Sequence, residues 1–304
     1  MNPNLSINIG KLKLKNPVMV ASGTFGYAEE FKDFIDLKKL GAIVTKTITL
    51  KPRKGNPAAR TCETPAGMLN SIGLDNPGVD KFIVDKLPVL KKTGVPIIVS
   101  IASEQDPREF VTLANKLDKI KEIAAIELNI SCPNIKVTSL ISQDANATYD
   151  LVKSVRKATK KVLITKLSPN VTDIAEIAIA AEAAGSDVVS LINTITGMSI
   201  DINNREPKIA CVTGGLSGPA IRPVAVRMVW QVYQKIKVPI IGMGGIMDAE
   251  SALEFFIAGA TAISVGTANF INPKATIEII EGIKKYLIKN KIKSINELTG
   301  SLIC

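Results

Sequence analysis

Glu127-Leu-Asn-Ile-Ser-Cys-Pro-Asn134 closes an apolar run with a dense polar group. Ala125 to Ile130 is apolar and β-branched enough for a buried strand, and Pro133 ends it because proline has no N–H to give to a ladder. The residues after Ile130 therefore stand at a strand end. Around that end the chain sets down two amides (Asn129, Asn134), a hydroxyl (Ser131) and a thiol (Cys132). A thiol beside two amides at a strand tip suits a reaction site. A small buried cysteine between turn-forming asparagines accounts for the same residues, so the remainder of the chain decides.

Outward from this run, the same grammar repeats. Apolar runs at 18–21, 42–45, 97–101, 162–167, 188–192, 239–242 and 262–265 join 125–130 to make eight strand candidates. Amphipathic stretches near 28–39, 78–92, 106–119, 146–160, 172–184, 222–236, 248–258 and 274–290 lie between and after them. Thr172 can cap a helix closed by Gly185, and Asp248 one closed by Gly259. Strict strand–helix alternation of this length predicts an α/β fold, a single (β/α)₈ TIM barrel over residues 1–304. A short N-terminal hairpin (Leu5 to Ile9, Leu12 to Leu14) precedes it. A doubly wound sheet is the alternative, but the turn after its first strand would carry a glycine fingerprint, and here it reads Ser22-Gly-Thr-Phe-Gly26. Two long β/α loops, Thr47 to Gly78 and Asn193 to Ile221, mark the C-terminal face as functional.

Composition narrows the chemistry. Of 304 residues, 46% are hydrophobic and 22% charged, a globular balance. No apolar run reaches the roughly 18 residues of a membrane span, and Met-Asn-Pro-Asn-Leu does not read as a targeting signal, so a cytoplasmic protein is expected. The net charge of +10 comes largely from dispersed lysines with four Tyr and one Trp, which disfavours a nucleic-acid stacking platform. The densest run, Lys284 to Lys293, reads as a solvated helix end. Cysteines at 62, 132, 211 and 304 have no metal-ligand spacing, and those other than Cys132 read as structural or incidental. Histidine is absent. A catalytic Cys132 must therefore work without an imidazole.

In a barrel the active site gathers at the C-terminal strand ends. Those ends would deliver Ser22, Lys46-Thr47, Ser100, Asn129 with Cys132, Lys166, Asn193-Thr194, Gly244-Gly245 and Gly266-Thr267. Lysines ending apolar strands cost desolvation unless the pocket holds negative charge. Glycine turns after strands seven and eight suit a phosphate held by backbone N–H groups. A phosphate, lysines near an electron-rich ring and an apolar mouth suggest flavin mononucleotide (FMN), with Lys166 placed to stabilise the reduced ring.

Four motifs, Asn129-Ile-Ser-Cys-Pro-Asn134, Asn70-Ser-Ile-Gly-Leu74, Ile192-Asn-Thr-Ile-Thr-Gly-Met-Ser-Ile-Asp201 and Gly214-Gly-Leu-Ser-Gly-Pro-Ala-Ile-Arg-Pro223, together resemble the dihydroorotate dehydrogenases. A cysteine at 132 resembles class 1; class 2 carries a serine there and an N-terminal extension that this sequence does not show. Gly214 to Val229 with Ile240-Ile-Gly-Met-Gly-Gly-Ile246 looks like the B-type of class 1. The resemblance implies oxidation of dihydroorotate to orotate with FMN in pyrimidine biosynthesis, Cys132 acting as the base. It implies substrate contacts from Lys46, Asn70, Ser71, Ile72, Gly73, Leu74, Asn129, Asn193 and Thr194. FMN contacts are implied for Ser22, Lys46, Thr47, Asn129, Lys166, Ile192, Gly218, Gly244, Gly245, Gly266 and Thr267.

The B-type further implies a homodimer within a heterotetramer. Its separate iron–sulfur flavoprotein subunit holds FAD and a 2Fe-2S cluster and passes electrons to NAD⁺. Two departures stand out: Ser100 replaces a common asparagine, and the loop 135–142 lacks the glycines usual there. The alternatives are a class 1 enzyme using fumarate or another acceptor, a dihydrouridine synthase acting on tRNA, and a non-catalytic docking barrel.

Overall fold

Eight short runs of mostly branched aliphatic residues have no polar face to give to water, and they close on themselves as a parallel barrel. The computed structural model describes residues 2–103, 106–130 and 141–303. Its barrel strands are Val18–Val20, Ala42–Val44, Ile97–Ile101, Ile123–Asn129, Val162–Lys166, Val188–Leu191, Ile240–Gly242 and Ala262–Val265. They neighbour one another in chain order, and the eighth returns to the first, pairing Val265 with Val20. Helices on the outside make this the expected (β/α)₈ barrel.

Helix spacing follows the apolar period. Arg108–Asp118 buries Phe110, Leu113, Ala114 and Leu117, and Ala145–Ala158 buries Thr148, Leu151, Val152 and Val155, each set lying on one face. The expected N-terminal hairpin is present, Ile7–Ile9 pairing with Leu12–Leu14, and Ile7, Ile9 and Leu14 join the core. Its turn at Gly10 packs against Val162 and Asp187, at the N-terminal ends of strands five and six. It thus covers the end of the barrel opposite the strand tips. Among the described residues no helix is long and apolar enough to cross a membrane.

Three local expectations change. Residues 28–39 form two 3₁₀ turns, Glu29–Phe31 and Leu37–Lys39, in place of a helix. Ala28 takes φ 72°, and the chain turns there so that Phe31 stacks on Phe25 with ring centroids 3.9 Å apart. The stretch 78–92 is helical but broken by a π segment, Phe82–Lys86, between Gly78–Lys81 and Leu87–Lys92. Helix Ile174–Ala183 is capped by Asp173, not Thr172: the carboxylate one position later accepts from Ala175 N at 2.9 Å.

Asp248 caps Ala249–Ala258 as expected, with Gly259 at its end. Its carboxylate accepts from Ser251 N at 2.8 Å and forms a reciprocal capping box. That bond holds the Asp248 carboxyl below its usual range, and the nearby Arg222 adds to the effect. Asp248→Ala is expected to cost about 1 kcal/mol at neutral pH, as helix-cap losses do, read as a lower urea midpoint. The carboxyl pKa is depressed in the fold, so its contribution is complete above the ordinary carboxylate pKa of about 4 and fades as pH falls through the lower folded value. The gap between wild type and variant therefore narrows in acid.

Candidate active site

Parallel pairing fixes which residues face inward together. Asn129 pairs with Lys166 and Lys166 with Ser190, so all three share one side of the barrel wall near the C-terminal mouth. Lys166 is 5% exposed, and its Nζ donates to Ser22 Oγ at 3.3 Å. Among the described residues no carboxylate forms an ion pair with Lys166 or with Lys46, which sits half-buried just beyond strand two. Two ammonium groups thus stand at one mouth without an anionic partner there, an arrangement that favours an anionic ligand.

Carboxamides tie the mouth together. Asn129 Nδ2 donates to Thr47 Oγ1 at 3.1 Å, and Thr47 shares a 2.9 Å bond with Ser100 Oγ. Asn193 Nδ2 donates to Asn129 Oδ1 at 3.4 Å, and Thr194 N donates to Asn193 Oδ1 at 2.8 Å. Ser100, standing where an asparagine was expected, is fully buried and serves to hold Thr47.

The two long loops fold onto each other. Thr61–Thr64, Gly67–Asn70, Thr213–Ser217 and Ile195–Met198 form a four-stranded antiparallel sheet at the mouth. Asn70 pairs with Gly215 and also donates Nδ2 to Gly215 O at 3.3 Å. Gly218 ends this sheet at φ 97°, where an added Cβ would lie 2.7 Å from Gly67 Cα. The two loops could not approach so closely with a side chain at that position.

Together these parts enclose a cleft of about 310 Å³. Ser22, Lys46, Thr47, Asn70, Ile72, Gly73, Leu74, Asn129, Lys166, Ile192, Asn193, Thr194, Gly218, Gly244, Gly245, Gly266 and Thr267 all line it. Ser71 does not. Its N donates to Arg60 O, and its carbonyl and hydroxyl both accept from Asn56 Nδ2, so it shapes the loop from behind. Cys132 and the loop up to residue 140 lie outside the described residues.

Some lining residues were not anticipated. Met68, Met243, Ile246, Met247 and Phe270 make an apolar wall, Ser217 bonds Thr267 at 2.8 Å, and Ser264 is buried with a hydroxyl unpartnered among the described residues. Scattered over several loops and strands, they had no common sequence signal. Beyond Lys46 a second hollow holds Tyr27, whose phenol proton is held well above the ordinary tyrosine range by burial and by Glu30 and Asp75.

The turns after strands seven and eight meet one wall of this cleft. Among the described residues, the N–H groups of Gly244, Gly245, Gly266 and Thr267 donate to no other group of the protein, so they are free to bind a phosphate. Free N–H groups, an apolar wall and a buried ammonium form a donor set that fits FMN.

The comparisons with known proteins agree with this geometry. The family model for dihydroorotate dehydrogenase matches residues 4–287. The chain belongs to the dihydroorotate dehydrogenase family. It is 55% identical over 302 residues to the protein of Geotalea uraniireducens named dihydroorotate dehydrogenase B (NAD⁺), catalytic subunit, covering 99% of each chain. Proteins of the same name from Pelobacter propionicus (51% identity, all of both chains) and Caldicellulosiruptor bescii (53%, 98% of this chain and 99% of the other) match equally broadly.

Gly245 takes φ 74°, and a Cβ there would lie 2.7 Å from Arg222 Cβ and 2.8 Å from Gly218 O. Gly245→Ala is expected to cost about 1–3 kcal/mol through backbone strain and crowding, seen as a lower urea midpoint. An unchanged midpoint would contradict this turn geometry.

Proposed function

We propose that this chain is the catalytic subunit of an NAD⁺-linked dihydroorotate dehydrogenase, a single FMN-binding barrel that oxidises dihydroorotate to orotate in pyrimidine biosynthesis. The observation that carries the reading is the meeting of Lys46 and Lys166 with the Asn129, Asn193 and Asn70 amides in one cleft beside free N–H groups. The whole-length likeness to proteins named as such catalytic subunits supports it.

Each residue has a part suited to its chemistry. Gly244, Gly245, Gly266 and Thr267 would hold the FMN phosphate through backbone N–H groups. Ser22, Thr47, Ile192 and Gly218 would border the rest of the cofactor, with Lys166 at the ring. When bound, FMN supplies the hydride acceptor for the oxidation. The amides of Asn70, Asn129 and Asn193, with Thr194, would read the pyrimidine edges, because carboxamides both donate and accept. Lys46 would meet the substrate carboxylate, and Ile72, Gly73 and Leu74 would close over the ligand.

Cys132 comes three residues after Asn129, and in this reading its thiolate removes the proton from substrate C5. An unperturbed thiol near pKa 8.5 is partly ionised at neutral pH, and lysines brought close to it would favour that form. Cys132→Ser should keep FMN and orotate binding but slow anaerobic flavin reduction by dihydroorotate by about 10²-fold or more, since a hydroxyl is a far weaker base. An unchanged rate would remove Cys132 from this role.

Electrons would leave through a second polypeptide carrying FAD and a 2Fe-2S cluster, with two catalytic chains paired inside a heterotetramer. The purified chain alone is expected to be bleached by dihydroorotate yet to reduce NAD⁺ slowly, and addition of the iron–sulfur flavoprotein should restore turnover. Full-rate NAD⁺ reduction by the isolated chain would contradict this route. A chain that passes its electrons to fumarate instead would answer as the alternative class 1 enzyme.

A further inference from the structure

Among the described residues two charged side chains are fully buried, Glu127 at 2% exposure and Lys166 at 5%. They occupy adjacent barrel strands. Asn129 pairs with Lys166, so Glu127, two residues earlier and on the same face, pairs with Ile164 one layer deeper. Lys166 pairs on its other side with Ser190. Glu127 Oε2 accepts a hydrogen bond from Ser190 Oγ at 3.2 Å. The carboxylate therefore reaches from strand four to strand six across strand five, from the layer of Ile164 toward that of Lys166.

Local satisfaction does not explain a carboxylate there. Among the described residues its second oxygen, Oε1, has no hydrogen-bond partner, and one bond from a hydroxyl does not offset the loss of hydration. The other buried charge among the described residues is the ammonium one layer above it. The two do not touch, since Lys166 Nζ extends to Ser22 instead. Opposite charges in adjacent layers of one barrel interior are screened less than they would be in water, because little solvent lies between them.

We propose that Glu127 is the buried counter-charge to Lys166, held in place by Ser190, and that it limits how much positive charge the barrel floor presents to the cofactor. This rests on the reading that FMN binds in the cleft with its ring toward Lys166. Glu127 touches neither cofactor nor substrate in this account; it acts through the field it sets. Removing its charge leaves Lys166 uncompensated and favours the electron-rich reduced flavin.

The test is the midpoint potential of FMN bound to the purified protein. Glu127→Gln keeps the shape and removes the charge, and it should raise the potential. Glu127→Asp keeps the charge and should stay nearer the wild type than Glu127→Gln does. Lys166→Met should lower the potential. Ser190→Ala, which frees the carboxylate from its place beneath the lysine, should raise it by less than Glu127→Gln. Flavin-loaded Glu127→Gln and Ser190→Ala proteins with potentials at or below the wild-type value would overturn the counter-charge role alone. A wild-type protein that takes up no FMN would overturn the cofactor reading, and this inference with it, and it would show as colourless protein before any potential is measured.

Discussion

An ammonium group buried in a barrel wall without a carboxylate against it sets the terms for the rest of this molecule. Among the described residues Lys166 Nζ donates only to Ser22, and the buried Glu127 lies one layer below without forming an ion pair with it, so the space above it favours negative charge or electron density. Closure of eight parallel strands makes this unavoidable. The side chain at the last position of strand five faces inward, and the neighbouring strands deliver Asn129 and Ser190 at the same level. In most barrels that layer is aliphatic. Here it is polar, and it forms the floor of the cleft.

The roof is built from the opposite kind of pairing. Two long connections, separated by more than a hundred residues, meet as an antiparallel sheet in which Asn70 lies beside Gly215. This contact places the Asn70 amide over a mouth whose floor carries Asn129 and Lys166. The cleft is thus bounded by the local order of barrel strands below and by one long-range pairing above. Family membership, at 51 to 55% identity over whole chains, is consistent with both halves serving one ligand set.

The barrel was readable because buried parallel strands leave a plain signal, short apolar runs at regular spacing, and the structure keeps all eight. The glycine turns were readable for a similar reason, since Gly244 and Gly245 take φ 127° and 74°, a backbone that side chains rarely adopt. Residues 28–39 misled because their amphipathic pattern came from Phe25–Phe31 stacking around a left-handed Ala28, not from helix periodicity. The four-stranded sheet was hidden because its strands are short and the pairing that joins its halves, Gly67–Asn70 with Thr213–Ser217, is distant in sequence. Ser71 sits inside a binding motif, yet its bonds to Arg60 and Asn56 turn it away from the cleft. Glu127 was passed over because, within an apolar run, sequence alone does not reveal that its side chain crosses under the next strand to Ser190.

The central claim is that a flavin ring lies against Lys166 with its phosphate at the paired glycine turns. A crystal structure of the protein grown with FMN and orotate tests it most directly. The account predicts phosphate oxygens within hydrogen-bond reach of the Gly244, Gly245, Gly266 and Thr267 N–H groups, the ring edge at Lys166 Nζ, and orotate between the ring and the Cys132 sulfur. A phosphate seated elsewhere, or a Lys166 that faces only solvent and protein, would contradict it.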